Sequence, residues 1–235
     1  MERPAPMIRR LSDCRNIEDM RALARRRLPA PIFHYIDGAA DDEVTYRRNT
    51  AAFESCDLVP NVLAGAAEVD LSVTVMGQKL AMPLFCSPTA LQRLFHHEGE
   101  RAVARAAEKF GTMFGVSSLG TVSLAEIGAM IRTPKMFQFY FHKDRGLNDA
   151  MVERAKAARF GFPPPPSLTL KSLASFAARP AWAFNYLTHE PFDLAELKSH
   201  VREGSNVSVS VAEYFSTLLD PSMSWKDAEA LRAKW

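Results

Sequence analysis

Three times between Leu84 and Ala158 a short apolar run is followed, across a loop, by a helix-length amphipathic stretch. The apolar runs are Leu84–Cys86, Met113–Ser117 and Met136–Phe141. The first is answered by Glu98–Phe110, ended by Gly111, and the third by Leu147–Ala158. The second leads to a shorter helix begun by Ser123-Leu124-Ala125-Glu126, which has the form of a capping box. Strand, loop and helix repeated in this order predict a parallel sheet or barrel. In either architecture ligands collect at the carboxyl ends of the strands. Ser87-Pro88-Thr89-Ala90 stands at such an end, and its small side chains let backbone amides come close to a bound molecule.

The flanking segments read differently. Residues 17–27 form a helix with Asn16 as N-cap and Pro29 as stop. Pro31–Asp37 is a second helix stopped by Gly38. A third runs from Asp41 to Phe53, with Asp41, Asp42 and Glu43 placed in its first turn, where acids suit the helix dipole. Leu71–Val75 and Gln78–Ala81 make a hairpin across Met76-Gly77 that caps the repeat rather than extending it. No fourth strand follows Phe160. Gly161-Phe162 runs into Pro163-Pro164-Pro165-Pro166, which neither pairs in a sheet nor continues a helix. A helix from Ser224 to Lys234 ends the chain. An eight-unit barrel takes about 250 residues, so three βα units are too few to close one.

Composition excludes several classes. The net charge of +2 supplies no basic field for nucleic acid. The three cysteines, Cys14, Cys56 and Cys86, show neither metal spacing nor a disulfide framework and point to a reducing compartment. The N-terminus has no apolar secretory core, and no apolar run is long enough to span a bilayer.

Candidate site residues follow from the pattern. In Phe137-Gln138-Phe139-Tyr140-Phe141 the phenylalanines share one face, towards covering helices, and Gln138 and Tyr140 share the other. The inward pair is either part of a site or a satisfied polar pair. Tyr35, on an apolar helix, is a site residue or a core tyrosine with its hydroxyl at the rim. Ser117-Ser118 binds a ligand or caps a turn. His96-His97 diverge on a helix without a third ligand, which makes them surface or supporting histidines, and His142 is a further candidate. Residues 168–201, rich in aromatics, either lie over the barrel mouth or rest on a membrane surface with Lys171, Arg179 and Lys198 near anionic headgroups.

Taken together, Phe33–Glu43, Met82–Arg93 with its Ser-Pro-Thr-Ala-Leu-Gln-Arg run, His97-Glu-Gly-Glu100, Ser117-Ser118, Phe137-Gln-Phe-Tyr140, Leu168-Thr-Leu-Lys171 and Asp220–Lys226 resemble the FMN-dependent α-hydroxy acid dehydrogenase family. Within it the likeness is strongest to the bacterial respiratory L-lactate dehydrogenases. The resemblance implies an α/β fold of the (β/α)8 TIM-barrel type, here one incomplete domain over residues 1–235 with an N-terminal helical segment and a β-hairpin. It implies FMN held by Pro88, Thr89, Ala90, Ser117 and Gln138. It implies a substrate carboxylate bound by Tyr35, and Tyr140 at the substrate as a catalytic and binding group. No metal is implied. The implied reaction takes L-lactate to pyruvate and passes electrons to a quinone. The implied place is the cytoplasmic face of the bacterial inner membrane, with residues 161–201 as the variable, membrane-contacting excursion and a homo-oligomer for the complete barrel.

The chain also departs from that family. After Phe160 the family continues into a strand bearing a flavin-contacting threonine and an aspartate that supports the base histidine. Here Gly161 follows directly. Trp235 precedes the place where the family has its flavin-contacting lysine, its His-Gly-Gly-Arg segment and its phosphate-binding loops. The expectation is one wall of a site, in a polypeptide that is inactive by itself. The alternative is a non-catalytic remnant, or a membrane-surface module built on residues 168–201.

Overall fold

The second strand is the hub of the ladder. In the computed structural model, which describes residues 8–63, 65, 68–158, 180–189, 194–196 and 218–234, β4 (Met113–Val116) is buried along its whole length. It pairs in parallel with β3 (Phe85–Cys86) on one side and β5 (Lys135–Phe137) on the other. The register sets Phe85 opposite Met113 and Val116 opposite Phe137. Thr112 Oγ1 donates to the Leu84 carbonyl, and Thr133 Oγ1 to the Thr112 carbonyl at 2.5 Å, so hydroxyls stitch the entering ends of the three strands together.

Helices cover the ladder as the βα pattern requires. α5 (Glu100–Phe110) buries Ala104 and Ala107, ends at Gly111 and leads into β4. α6 (Leu124–Met130) begins at Ser123, whose hydroxyl accepts the Glu126 amide at 3.2 Å. The reciprocal half of the expected capping box is replaced, because the Glu126 carboxylate turns to Arg101 at 2.5 Å. α7 (Arg145–Ala158) buries Leu147, Met151, Val152 and Ala155. One core unites these faces with Phe114, Val116, Leu119 and Phe137. At the crossing of α6 and α7 Gly128 has no room for a side chain, since a Cβ there would lie 2.9 Å from the Ala158 carbonyl oxygen.

The N-terminal segment packs onto this body. α1 (Ile17–Arg27) is capped by Asn16, whose side chain accepts the Asp19 amide at 2.8 Å. α2 (Ala30–Asp37) follows at once. Arg21 grips Asp37 with two bonds of 2.6 and 3.0 Å, but a half-exposed pair is worth about 1 kcal/mol at most. Burial of Leu28, Ile32 and Phe33 against Leu94 and Phe95 contributes more, at roughly 1.5–3 kcal/mol per side chain. The hairpin of β1 (Val73–Val75) and β2 (Gln78–Leu80) turns through Met76 at φ 48° and Gly77. It seals the amino-terminal end of the ladder: Leu80 is buried, and the Ala81 amide donates to the Gly111 carbonyl at 2.9 Å.

Three expectations are corrected. The third helix, α3 (Val44–Glu54), starts after the acids, not with them. Asp41 and Glu43 lie in the left-handed region, and the Glu43 carboxylate accepts the Ala39 amide at 3.1 Å, so it caps the preceding turn. Gly38 stops α2 as expected, in extended backbone. β5 ends at Phe137 rather than Phe141, although the Gln138 amide still donates to the Val116 carbonyl at 2.7 Å. The paired part of the first strand is likewise shorter than read, since Leu84 lies outside it.

Among the described residues the ladder does not close: it is a partial barrel of three parallel strands. The tetraproline and most of residues 161–201 lie outside the described residues. Within that span α8 (Pro180–Thr188) is helical, and Leu194–Glu196 docks on the β4–α6 loop through Ala195 N–H to the Gly120 carbonyl (3.2 Å) and Leu124 N–H to Glu196 Oε1 (3.0 Å). The final helix, α9 (Trp225–Lys234), is capped by Ser224 and Asp227 and tied to α7 by Lys234–Asp149 at 2.5 Å. Gly128→Val forces α6 from α7 and is expected to cost about 1–3 kcal/mol, read as a lowered urea midpoint with an unchanged slope.

Candidate active site

The carboxyl ends of β3, β4 and β5 converge on one polar constellation. Leaving β3, the chain passes through Ser87-Pro88-Thr89-Ala90 and turns at Leu91, which takes a left-handed φ of 54° before the short helix α4 (Gln92–Phe95). Pro88 lies directly on β4. That approach requires glycine at position 115, where a Cβ would stand 2.8 Å from Pro88 Cδ and 3.0 Å from its nitrogen. The Leu91 amide then donates to the Leu119 carbonyl at 3.0 Å and fixes this loop to the one after β4. Ala90 is buried, and Pro88 and Thr89 are half-buried.

Ser117 at the end of β4 and Gln138 just beyond β5 are joined. The Leu119 amide donates to Ser117 Oγ at 3.1 Å, so the Ser117 proton is directed to Gln138 Oε1 at 2.7 Å. That assigns the Gln138 amide orientation from the network. Gln138 Nε2 is then left buried with no protein partner, as is Ser118 Oγ. A buried donor without a partner costs about 1–3 kcal/mol, so two of them just past the carboxyl ends of the neighbouring strands β4 and β5 mark a ligand-facing surface. A bound flavin, whose ring carbonyls and ring nitrogens accept hydrogen bonds, would suit these donors, and the small, close-lying Pro88-Thr89-Ala90 backbone would suit its flat ring system.

Tyr35 reaches the same region from α2. Its ring stacks on Phe95 at 6.2 Å and packs on the core that holds Ala90, Leu91 and Tyr140. Its hydroxyl is buried without a partner, and burial pushes its pKa up to about 12. Tyr35 is therefore a neutral phenol with a proton to donate, and it is no base near neutral pH. Tyr140 is buried in that core. The period-two reading of its segment holds: Phe137, Phe139 and Phe141 meet edge to face at 6.4 and 6.3 Å on one side. Cys86, whose thiol burial pushes up, stays neutral.

His142 does not belong to the site. It is wholly buried, with its amide and Nδ1 both donating to Asn148 Oδ1 at 2.8 and 2.9 Å and its carbonyl accepting from Asn148 Nδ2. It locks the end of β5 to α7. His97 stacks between His96 at 4.3 Å and His189 at 3.9 Å, and burial lowers its pKa. Among the described residues no group of three or more ligand side chains is arranged for a metal.

Sequence reasoning passed over Glu100 and Thr121. Glu100 is fully buried at the first turn of α5 and binds Thr121 twice, through Thr121 N–H at 2.8 Å and Thr121 Oγ1 at 2.6 Å. An acid in a first helical turn is an ordinary surface feature, and nothing in the local pattern tells that this one faces inward.

The chain is similar in sequence and fold to known proteins. Residues 24–162 match the family described as FMN-dependent dehydrogenase. The L-lactate dehydrogenase of Yersinia pestis (strain Pestoides F) is 34% identical over 92% of this chain and 62% of its own length. A crystal structure of the monotopic membrane protein (S)-mandelate dehydrogenase superposes with a TM-score of 0.79 at 26% identity, covering 94% of this chain and 64% of that one. A crystal structure of mandelate oxidase gives a TM-score of 0.67 at 27% identity, covering 93% and 59%. The chain thus spans about three fifths of the length of the relatives it matches. Ser117→Ala strands the Leu119 amide and Gln138 Oε1 in the interior and is expected to cost about 1–3 kcal/mol in chemical denaturation.

Proposed function

The chain belongs to the FMN-dependent dehydrogenase family, and from that premise we propose that its site serves the oxidation of a 2-hydroxy acid, L-lactate to pyruvate. The family is FMN-dependent, and the fold is part of a (β/α)8 barrel. The observation that carries the reading is the Ser117–Gln138 bond, which leaves Gln138 Nε2 and Ser118 Oγ as buried donors at the strand ends. We assign the flavin face to Pro88, Thr89, Ala90, Ser117 and Gln138. FMN, when bound, accepts the two electrons that leave the substrate.

The protein groups do the rest by placement. Pro88, Thr89 and Ala90 present backbone to one flat surface. Gln138 donates from Nε2, oriented by Ser117. Tyr35 donates its phenol to a substrate carboxylate, a role its raised pKa suits because the proton stays in place. Tyr140 takes the substrate hydroxyl side. Removal of the hydroxyl proton needs a base. Tyr35 keeps its proton, and His142 is wholly buried, held against α7 by Asn148. Residues 1–235 by themselves are therefore proposed to bind FMN but not to turn over.

Residues 161–201 are assigned to a membrane surface, and a respiratory quinone to the role of electron acceptor, at the cytoplasmic face of a bacterial inner membrane and in a homo-oligomeric complete barrel. What supports the membrane contact is α8: it carries no charged side chain and exposes Phe184 and Leu187, three positions apart and so on one face. No helix among the described residues is long and apolar enough to cross a membrane. The monotopic (S)-mandelate dehydrogenase is a structural neighbour.

Two measurements test this. Titration of the purified chain with FMN, followed by flavin fluorescence, is expected to show binding that Gln138→Leu weakens roughly tenfold, the worth of one buried hydrogen bond. Lactate-dependent dye reduction is expected to be absent. No flavin binding, or turnover by residues 1–235, contradicts the assignment. Phe184→Asp with Leu187→Asp is expected to abolish co-sedimentation with vesicles containing anionic lipid, and unchanged sedimentation removes α8 from the interface.

A further inference from the structure

The flavin-facing loops need a fastening of their own. The loop after β3, ending in Ala90-Leu91, and the loop after β4, Ser117–Thr121, are two lips of one site. Neither is part of a ladder or a helix, so side-chain and loop hydrogen bonds must hold them against each other. Those bonds form a connected set. Glu100 Oε1 and Oε2 accept the amide and the hydroxyl of Thr121 at 2.8 and 2.6 Å. Thr121 Oγ1 in turn accepts the Arg93 amide at 3.2 Å. Two residues before each member of that pair, the Leu91 amide meets the Leu119 carbonyl at 3.0 Å. The Leu119 amide meets Ser117 Oγ at 3.1 Å, and Ser117 orients Gln138 at 2.7 Å.

We propose that Glu100 is the positioning residue of the flavin face: through Thr121 it clamps the β3 and β4 loops together and thereby sets Ser117 and Gln138. The proposal rests on the flavin reading of this site. A fully buried carboxylate is costly to keep, and here both its oxygens bond Thr121 on the neighbouring loop, with the backbone amides of Gln92 and of Glu100 itself adding to its hold. Burial pushes the Glu100 carboxyl up, while the Thr121 donors pull the other way. Gly99 makes the approach possible, because a Cβ there would fall 2.5 Å from Arg93 Cγ. The clamp therefore joins three consecutive features: the start of α5, α4 and the loop after β4.

The test uses two isosteric and two conservative changes in the full chain. Thr121→Val and Glu100→Leu remove the clamp, whereas Thr121→Ser and Glu100→Gln keep a hydroxyl and an acceptor in place. In the flavin-free protein, hydrogen exchange at the Leu91 and Leu119 amides is read against α7 amides such as Met151. Both are one step removed from the altered atoms. Thr121→Val is expected to speed exchange at Leu91 and Leu119 roughly tenfold and to weaken FMN binding by a similar factor, the scale of one hydrogen bond. Thr121→Ser is expected to restore both. If Glu100→Leu does not fold, Thr121→Val decides. A lower urea midpoint in Thr121→Val with unchanged exchange at Leu91 and Leu119 and unchanged FMN affinity overturns the proposal. If the wild-type chain takes up no FMN, the flavin reading fails instead, and exchange at Leu91 and Leu119 alone upholds or overturns the clamp.

Discussion

Burial of β4 on both faces is the constraint on which the rest of the molecule depends. Met113, Phe114, Gly115 and Val116 are all enclosed. A strand covered on both sides must satisfy every backbone group within the protein, and parallel pairing with β3 and β5 does so. On one side the cover is α5 and α6. On the other it is Pro88, which rests on the strand itself at Gly115. The same strand therefore anchors the hydrophobic core and supplies the floor of the site. A side chain at position 115 would disturb both.

The site is a compromise between packing and polarity. Apolar burial of side chains such as Phe114, Leu119 and Phe137 supplies the stabilisation, at roughly 25 cal/mol per Å² removed from water. Against it stand groups that an optimised core would not hold: a buried carboxylate at Glu100, a buried amide at Gln138 and buried hydroxyls at Ser118 and Tyr35. Buried polar atoms are tolerated when they are bonded to one another or to a ligand. Glu100 is satisfied by Thr121 and Ser117 by Gln138. The donors left over lie at the carboxyl ends of parallel strands, where such folds bind ligands. The stabilising and destabilising groups are thus segregated along the strands.

Much of this was legible in the chain before any coordinates. Local signals were the most dependable. Asn16 before α1, Met76-Gly77 between β1 and β2, Gly111 after α5 and Ser123 before α6 each act through their own few neighbours. The alternation in Phe137–Phe141 was equally plain, because a period of two needs no partner to be read. The misreadings share a cause. Asp41, Asp42 and Glu43 look like a first helical turn, but left-handed backbone at Asp41 and Glu43 turns the chain before the helix begins. His142 reads as a further site candidate until burial and Asn148, on the next helix, are seen to hold it in the core.

The sequence by itself determined the βα repeat and the family, since apolar periodicity and ordered motifs are properties of the chain taken in line. Only the tertiary structure decided how those residues are used. Ser117 meets Gln138 across 21 positions, and Glu100 meets Thr121 across the same separation. Neither pairing has a local signature. Each exists because parallel strands bring their carboxyl ends to one edge, and which of the gathered polar groups pair, and which remain as donors, is settled by distance and burial alone.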